Sequence, residues 1–204
     1  MIVLMVDRKK QLSQVFNNVF KEVVKEDKDF YSHLGIGDFV KLKKIVACVN
    51  NIITMQVTEL FVEYLYRIKV IDFKQKEEIF ATINETNANS NGYDVCYENS
   101  FQKGVGILAE IKCNIPVSKA SFGAAQLVGI INDIRGLLNG KKKCPKGIQN
   151  GKFKFMVFLD DQDRVETAIN QLLDKEELSL VKLGDDVKRC ELTTEKVYVV
   201  LLKV

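Results

Sequence analysis

Residues 93–113 read YDVCYENSFQKGVGILAEIKC, and the reading of this stretch decides the fold. Two alternating segments, Tyr93–Glu98 and Val105–Cys113, flank a polar linker at 99–104, the pattern of a β-hairpin. Side chains alternate across a strand, so Tyr93, Val95 and Tyr97 share one face of the first segment. Ile107, Ala109, Ile111 and Cys113 share the matching face of the second. The opposite face carries Asp94, Cys96 and Glu98, then Leu108, Glu110 and Lys112. A one-residue slip would expose the whole apolar set, so parity is fixed. Closing the loop near Glu98 and Gly104 sets Asp94 against Leu108, with Glu110 diagonal to it at about 7–8 Å. Two carboxylates so placed can reach one cation, and oxygen donors favour magnesium or manganese. Antiparallel sheets often keep one wet face, on which acids and lysines need no function. Two features weigh against that reading here. Asp94 is a poor strand former at a strand start, and an apolar helix downstream is suited to cover the face.

Outward from the hairpin, the first 86 residues read as helical. Residues 8–26 show helical apolar spacing with Asp7 as an N-cap; a second helix runs from Phe39 to Asn51, and a third from Thr58 to Val70. Asp72 and Gln75 form a capping box that opens a fourth helix. Asn87 to Gly92 is turn-rich. Beyond the hairpin, Pro116 ends the second strand. A broad apolar band marks a helix over 121–138, Lys152–Leu159 reads as a buried strand, Arg164–Leu173 as a helix and Lys196–Lys203 as a final strand. The expected organisation is a helical region at 1–71 and an α/β core at 72–204 around a mixed sheet, packed as one compact domain.

Composition narrows the function classes. The chain has 204 residues, 47% hydrophobic and 28% charged, with a net charge of +3. No run of consecutive apolar residues approaches the ~20 that span a bilayer, and residues 1–6 lack a basic stretch before them, so no membrane segment or signal peptide is expected. Cysteines at 48, 96, 113, 144 and 190 are scattered, and His33 is the one histidine, which argues against a zinc site and for reduced thiols in the cytoplasm. Lys141, Lys142, Lys143 and Lys146 form a basic cluster around Pro145, a solvated loop or a phosphate contact.

Asp94, with fifteen residues between it and Glu110, followed by Lys112, resembles the PD-(D/E)XK motif of type II restriction enzymes and related nucleases. The resemblance covers about residues 74–160; the first member of the family's Pro-Asp pair is replaced by Tyr93. It implies a restriction-endonuclease-like mixed sheet flanked by helices, and magnesium-dependent hydrolysis of double-stranded DNA by a homodimer. Asp94, Glu110 and the backbone carbonyl of Ile111 would hold the metal, and Lys112 would act on the attacking water. Glu78 on the preceding helix is a candidate further acid, and Gln126 on the following helix a candidate polar residue near the site. Asn132 and Asp133 rank lower. The alternatives are an inactive nuclease-fold domain that binds nucleic acid or protein, and an α/β protein whose wet strand face mimics the motif. No helix-turn-helix or zinc-finger signature points to a recognition sequence.

Overall fold

Alternation in the hairpin and continuous apolar runs downstream produce one five-stranded mixed sheet in the computed structural model of the chain. The structure describes residues 2–85, 92–98, 105–114, 116, 121–160, 164–173, 178–184 and 191–203. The turn expected at 87–91 and the linker at 99–104 lie outside them. The chain forms two compact units, Met1–Val49 and Asn50–Val204.

In the first unit, α1 (Ile2–Val24) is followed by a 3-10 turn at Tyr31–His33 and the opening of α2 (Ile36–Arg67). Asp7 lies inside α1 rather than capping it, since Ile2–Val6 contains no breaker. The turn is held locally: Asn17 Oδ1 accepts the amides of Phe30 and Tyr31, at 3.0 and 2.8 Å. Phe16, Phe20, Phe30, Tyr31 and Phe39 pack ring on ring around it. Much else that is apolar stays uncovered, including Leu12, Val15, Val19 and Val23 on α1 and Ile36, Val40, Ile45 and Val46 on α2.

The second and third expected helices are one, α2, with 32 residues. Asn50 and Asn51 do not break it, because each costs only about 0.5 kcal/mol relative to alanine in a helix interior. By length and composition alone α2 could cross a membrane, and only 24% of its most apolar window is buried. Its C-terminal part is core: Val57, Phe61, Val62 and Leu65 are buried against the sheet, so the units divide at Val49/Asn50 rather than after residue 71.

The second unit continues with α3 (Phe73–Glu85), β1 (Val95–Tyr97), β2 (Gly106–Lys112), α4 (Ala124–Asn139), β3 (Lys152–Asp160), α5 (Arg164–Leu173), β4 (Leu180–Lys182) and β5 (Val197–Lys203). The capping box of α3 forms as expected, with the Gln75 amide on Asp72 Oδ1 at 2.8 Å and the Asp72 amide on Gln75 Oε1 at 3.0 Å. Strand order is β1-β2-β3-β5-β4; β1 and β2 are antiparallel, the rest parallel. Parallel strands need covered faces, and both are covered. Val95, Tyr97, Ile107, Ala109, Ile111, Phe155 and Tyr198 pack beneath α2 and α3. Leu108, Met156, Phe158 and Val199 pack beneath α4 and α5.

The hairpin register pairs Cys96 with Leu108 and Val95 with Ala109. Asp94 was expected at Leu108, so the strands sit two residues from the register that loop closure implied. A shift of two keeps every side chain on its face. Tyr93 departs from expectation: it precedes the strand proper and packs on the α4 side, its hydroxyl donating to the Gly136 carbonyl at 2.9 Å.

Candidate active site

Extended by one step, the hairpin register brings Asp94 against Glu110 instead of diagonal to it. The ladder itself ends there. The Asp94 amide reaches the Ala109 carbonyl at 3.1 Å, and Asp94 Oδ2 accepts the Ile111 amide at 2.7 Å. Amide and carbonyl of one strand residue point to the same side, so the Ile111 carbonyl faces this same open strand edge.

Glu110 alternates with Leu108 and therefore faces α4, where it is 3% exposed. That helix buries Ile130, Ile134 and Leu137, and Asp133 rides on the edge of the same stripe. The chain then turns at Gly140, whose φ is +88°, and sends Lys141 back along the helix. Gly136 clears its path, since a Cβ there would lie 2.9 Å from Lys141 Cγ. Lys141 Nζ stands 2.6 Å from Glu110 Oε1, 3.2 Å from Asp133 Oδ1 and 5.1 Å from the centre of the Tyr93 ring. Lys112 Nζ stands 2.6 Å from Asp133 Oδ2 and 3.8 Å from Glu110 Oε2.

Burial sets the electrostatics. It pushes Glu110 from 4.5 up to about 7, with the Asp94 charge adding to the rise and Lys141 opposing it. Asp94 is also raised, by burial first, against the pull of the Ile111 amide and of Lys112 and Lys141. Lys141 sits above its usual value because Glu110 and Asp133 outweigh the burial that would lower it. Three carboxylates face two ammonium groups, which leaves an excess of negative charge when all are ionised.

Among the described residues, no group of three or more His, Cys, Asp or Glu side chains is arranged to hold a metal ion. A divalent cation nevertheless fits the donor chemistry. Magnesium takes one or two carboxylates and keeps several waters. Asp94 and Glu110 are hard oxygen donors near enough for the Asp94 charge to push Glu110 up, and the Ile111 carbonyl faces the edge on which the Asp94 carboxylate lies.

Of the residues singled out in the sequence, Asp94, Glu110 and Lys112 come together. Glu78 does not join them. It accepts the Tyr97 hydroxyl at 2.5 Å, and Tyr97 belongs to the opposite face of the sheet. Gln126 accepts the Gly123 amide at 3.0 Å and so caps α4. Lys142, Lys143 and Lys146 are exposed, whereas Lys141 leaves their run for the acids. Sequence reasoning placed Lys141 in the basic cluster as a phosphate contact rather than beside the acids, and ranked Asp133 low. The signal for Asp133 was legible: it falls three residues after Ile130 and four before Leu137, inside the sheet-facing stripe. Lys141 left no such signal, because it arrives through a glycine turn. Comparison with known proteins finds no family model, no curated protein and no solved structure that matches this chain.

Proposed function

We propose that this chain is a metal-dependent endonuclease that hydrolyses phosphodiester bonds in double-stranded DNA, a type II restriction-like enzyme of the PD-(D/E)XK superfamily. One observation carries the reading: Glu110 is buried with Lys112 Nζ 3.8 Å away, and Asp94, at the edge of the paired strand, is near enough for its charge to act on Glu110. Asp94, Glu110 and the Ile111 carbonyl would hold magnesium or manganese. When bound, the ion supplies charge compensation for the reacting phosphate and a lowered pKa for the attacking water. Lys112 orients that water and stabilises charge on the phosphate in the transition state. Asp133, 2.6 Å from Lys112, fixes the ammonium group for that task. Lys142, Lys143 and Lys146, all exposed, would contact DNA phosphates. The uncovered apolar side chains of the first unit suit a second copy of the chain, and Cys48, Cys96, Cys113 and Cys144, which form no disulfide among the described residues, suit the reducing cytoplasm.

The test is supercoiled plasmid incubated with magnesium. The parent protein should nick or linearise it, and Lys112→Ala should lower the rate by at least about a hundredfold, the scale of one lost transition-state donor. Equal cutting by both forms would sink the assignment. A second reading, a silent nuclease-fold domain that only binds nucleic acid or protein, draws on the pairing of Glu110 with Lys141. Retention of DNA without cleavage would favour it.

A further inference from the structure

Lys141 is not part of the motif, yet it makes the shortest contact to Glu110 among the described pairs and occupies a slot shaped for it. Its stem runs past Gly136, where any side chain would collide with it. Its ammonium group lies over the Tyr93 ring, and Tyr93 is itself tied to the Gly136 carbonyl. Asp133 accepts both lysines at once, Lys141 on Oδ1 and Lys112 on Oδ2. A cation bound by Asp94 and Glu110 would share the Glu110 carboxylate with Lys141, which holds Oε1 at 2.6 Å and leaves Oε2 3.8 Å from Lys112. A metal ion and an ammonium group on one buried carboxylate repel each other strongly even when they take different oxygens.

We propose that Lys141 is a displaceable internal counter-ion: it occupies the acid pair in the metal-free protein and retreats onto Asp133 when a divalent cation binds. The proposal rests on the metal-binding reading above and adds to it a competitor built into the chain. Displacement needs little motion, because Asp133 Oδ1 is already 3.2 Å from the ammonium nitrogen. The tether neutralises buried acids that would otherwise repel each other, and it sets a threshold of free metal below which the site stays closed. Lys141 is a positioning residue in this scheme, acting on the acids and not on the substrate.

Manganese binding to the full-length protein, read by calorimetry and by the paramagnetic signal of the free ion, tests this without reference to cleavage. Lys141→Met should bind manganese about tenfold more tightly than the parent, within the usual span of coupling between two sites. Its metal-free form should melt at a lower temperature and gain more from added manganese than the parent does. Asp133→Asn should move affinity the other way, because the displaced ammonium group loses its second seat. In the double variant the Asp133 change should have a smaller effect than in the parent, because the part that acts through Lys141 is gone and only the part through Lys112 and the lost charge remains. Lys141→Arg keeps the positive charge and should stay near the parent. Unchanged or weaker binding by Lys141→Met, while the parent binds manganese, overturns the counter-ion and leaves the nuclease reading standing. Absence of binding in the parent and in Lys141→Met alike overturns the metal site itself. Should Lys141→Met fail to fold, Asp133→Asn decides: tighter or unchanged binding refutes the proposal.

Discussion

Glu110 is a carboxylate forced into a place that disfavours its charge, and that has a consequence for the metal-free protein. Its folded pKa, near 7, lies above the ordinary 4.5. The folded state therefore binds more protons than the unfolded state between those values, and stability falls as pH rises through the window. The contribution is complete below 4.5 and gone above about 7. Urea unfolding with chelator present should show the parent losing stability between about pH 5 and about pH 8, and Glu110→Gln should flatten that slope. An equally steep slope in the variant would assign the dependence to another group. Lys154 works in the reverse sense. Burial lowers its pKa, although its ammonium group reaches the carbonyls of Lys152 and Thr194. The unfolded state then holds the proton longer, so its cost is relieved as pH climbs from the lowered value toward 10.5.

At the scale of elements, α5 shows how one side chain fixes a helix start. Asp160 ends β3, is 1% exposed, and its Oδ1 accepts the Val165 amide at 2.9 Å. Asp160→Ala should cost about 1–3 kcal/mol in equilibrium unfolding, the usual loss when a buried amide is left without its acceptor, while Asp160→Asn should cost less. A loss below about 0.3 kcal/mol in the alanine form would show that the backbone alone sets the helix start. Elements like α5 were legible in the sequence because both their periodicity and their boundaries are local. β2, β3 and β5 were legible because their apolar runs are too long to be anything but covered strands. The hairpin was legible in parity and not in register. Alternation fixes which face a residue takes, but the closing loop decides pairing, and the loop at 99–104 offers no tight-turn signature. Tyr93 broke from its face because it stands outside the ladder, where the strand period no longer binds it. The short β4 carries three residues and no alternation long enough to detect. Within the site, Asp94, Glu110 and Lys112 lie on one hairpin and could be placed from spacing. Lys141 approaches from the far end of α4, and no spacing rule spans that distance.

Across the whole α/β unit, stability concentrates where α2 meets the middle of the sheet. Phe155 is fully buried, its ring 5.3 Å from Phe61 and 6.0 Å from Tyr198, so it joins a helix to two neighbouring strands. Phe155→Ala should cost about 3–5 kcal/mol, a large share of the 5–15 kcal/mol that holds an ordinary domain folded. Denaturant unfolding followed by circular dichroism would measure it; a loss under about 1 kcal/mol would mean the site collapses around the void. The acid site lies on the other face of the sheet, on β2 and at the edge of β1, so the metal binding proposed for it should persist in a partly destabilised variant at temperatures where that variant remains folded.

The outermost strands of the sheet, β1 and β4, are three residues long, while the three between them have seven, nine and seven. Stubby borders offer a stray β-segment few main-chain partners, so the long apolar interior strands are shielded from templating fibres or swapping with a neighbour. Lengthening β4 by engineering would remove that safeguard before it disturbed anything at the acids.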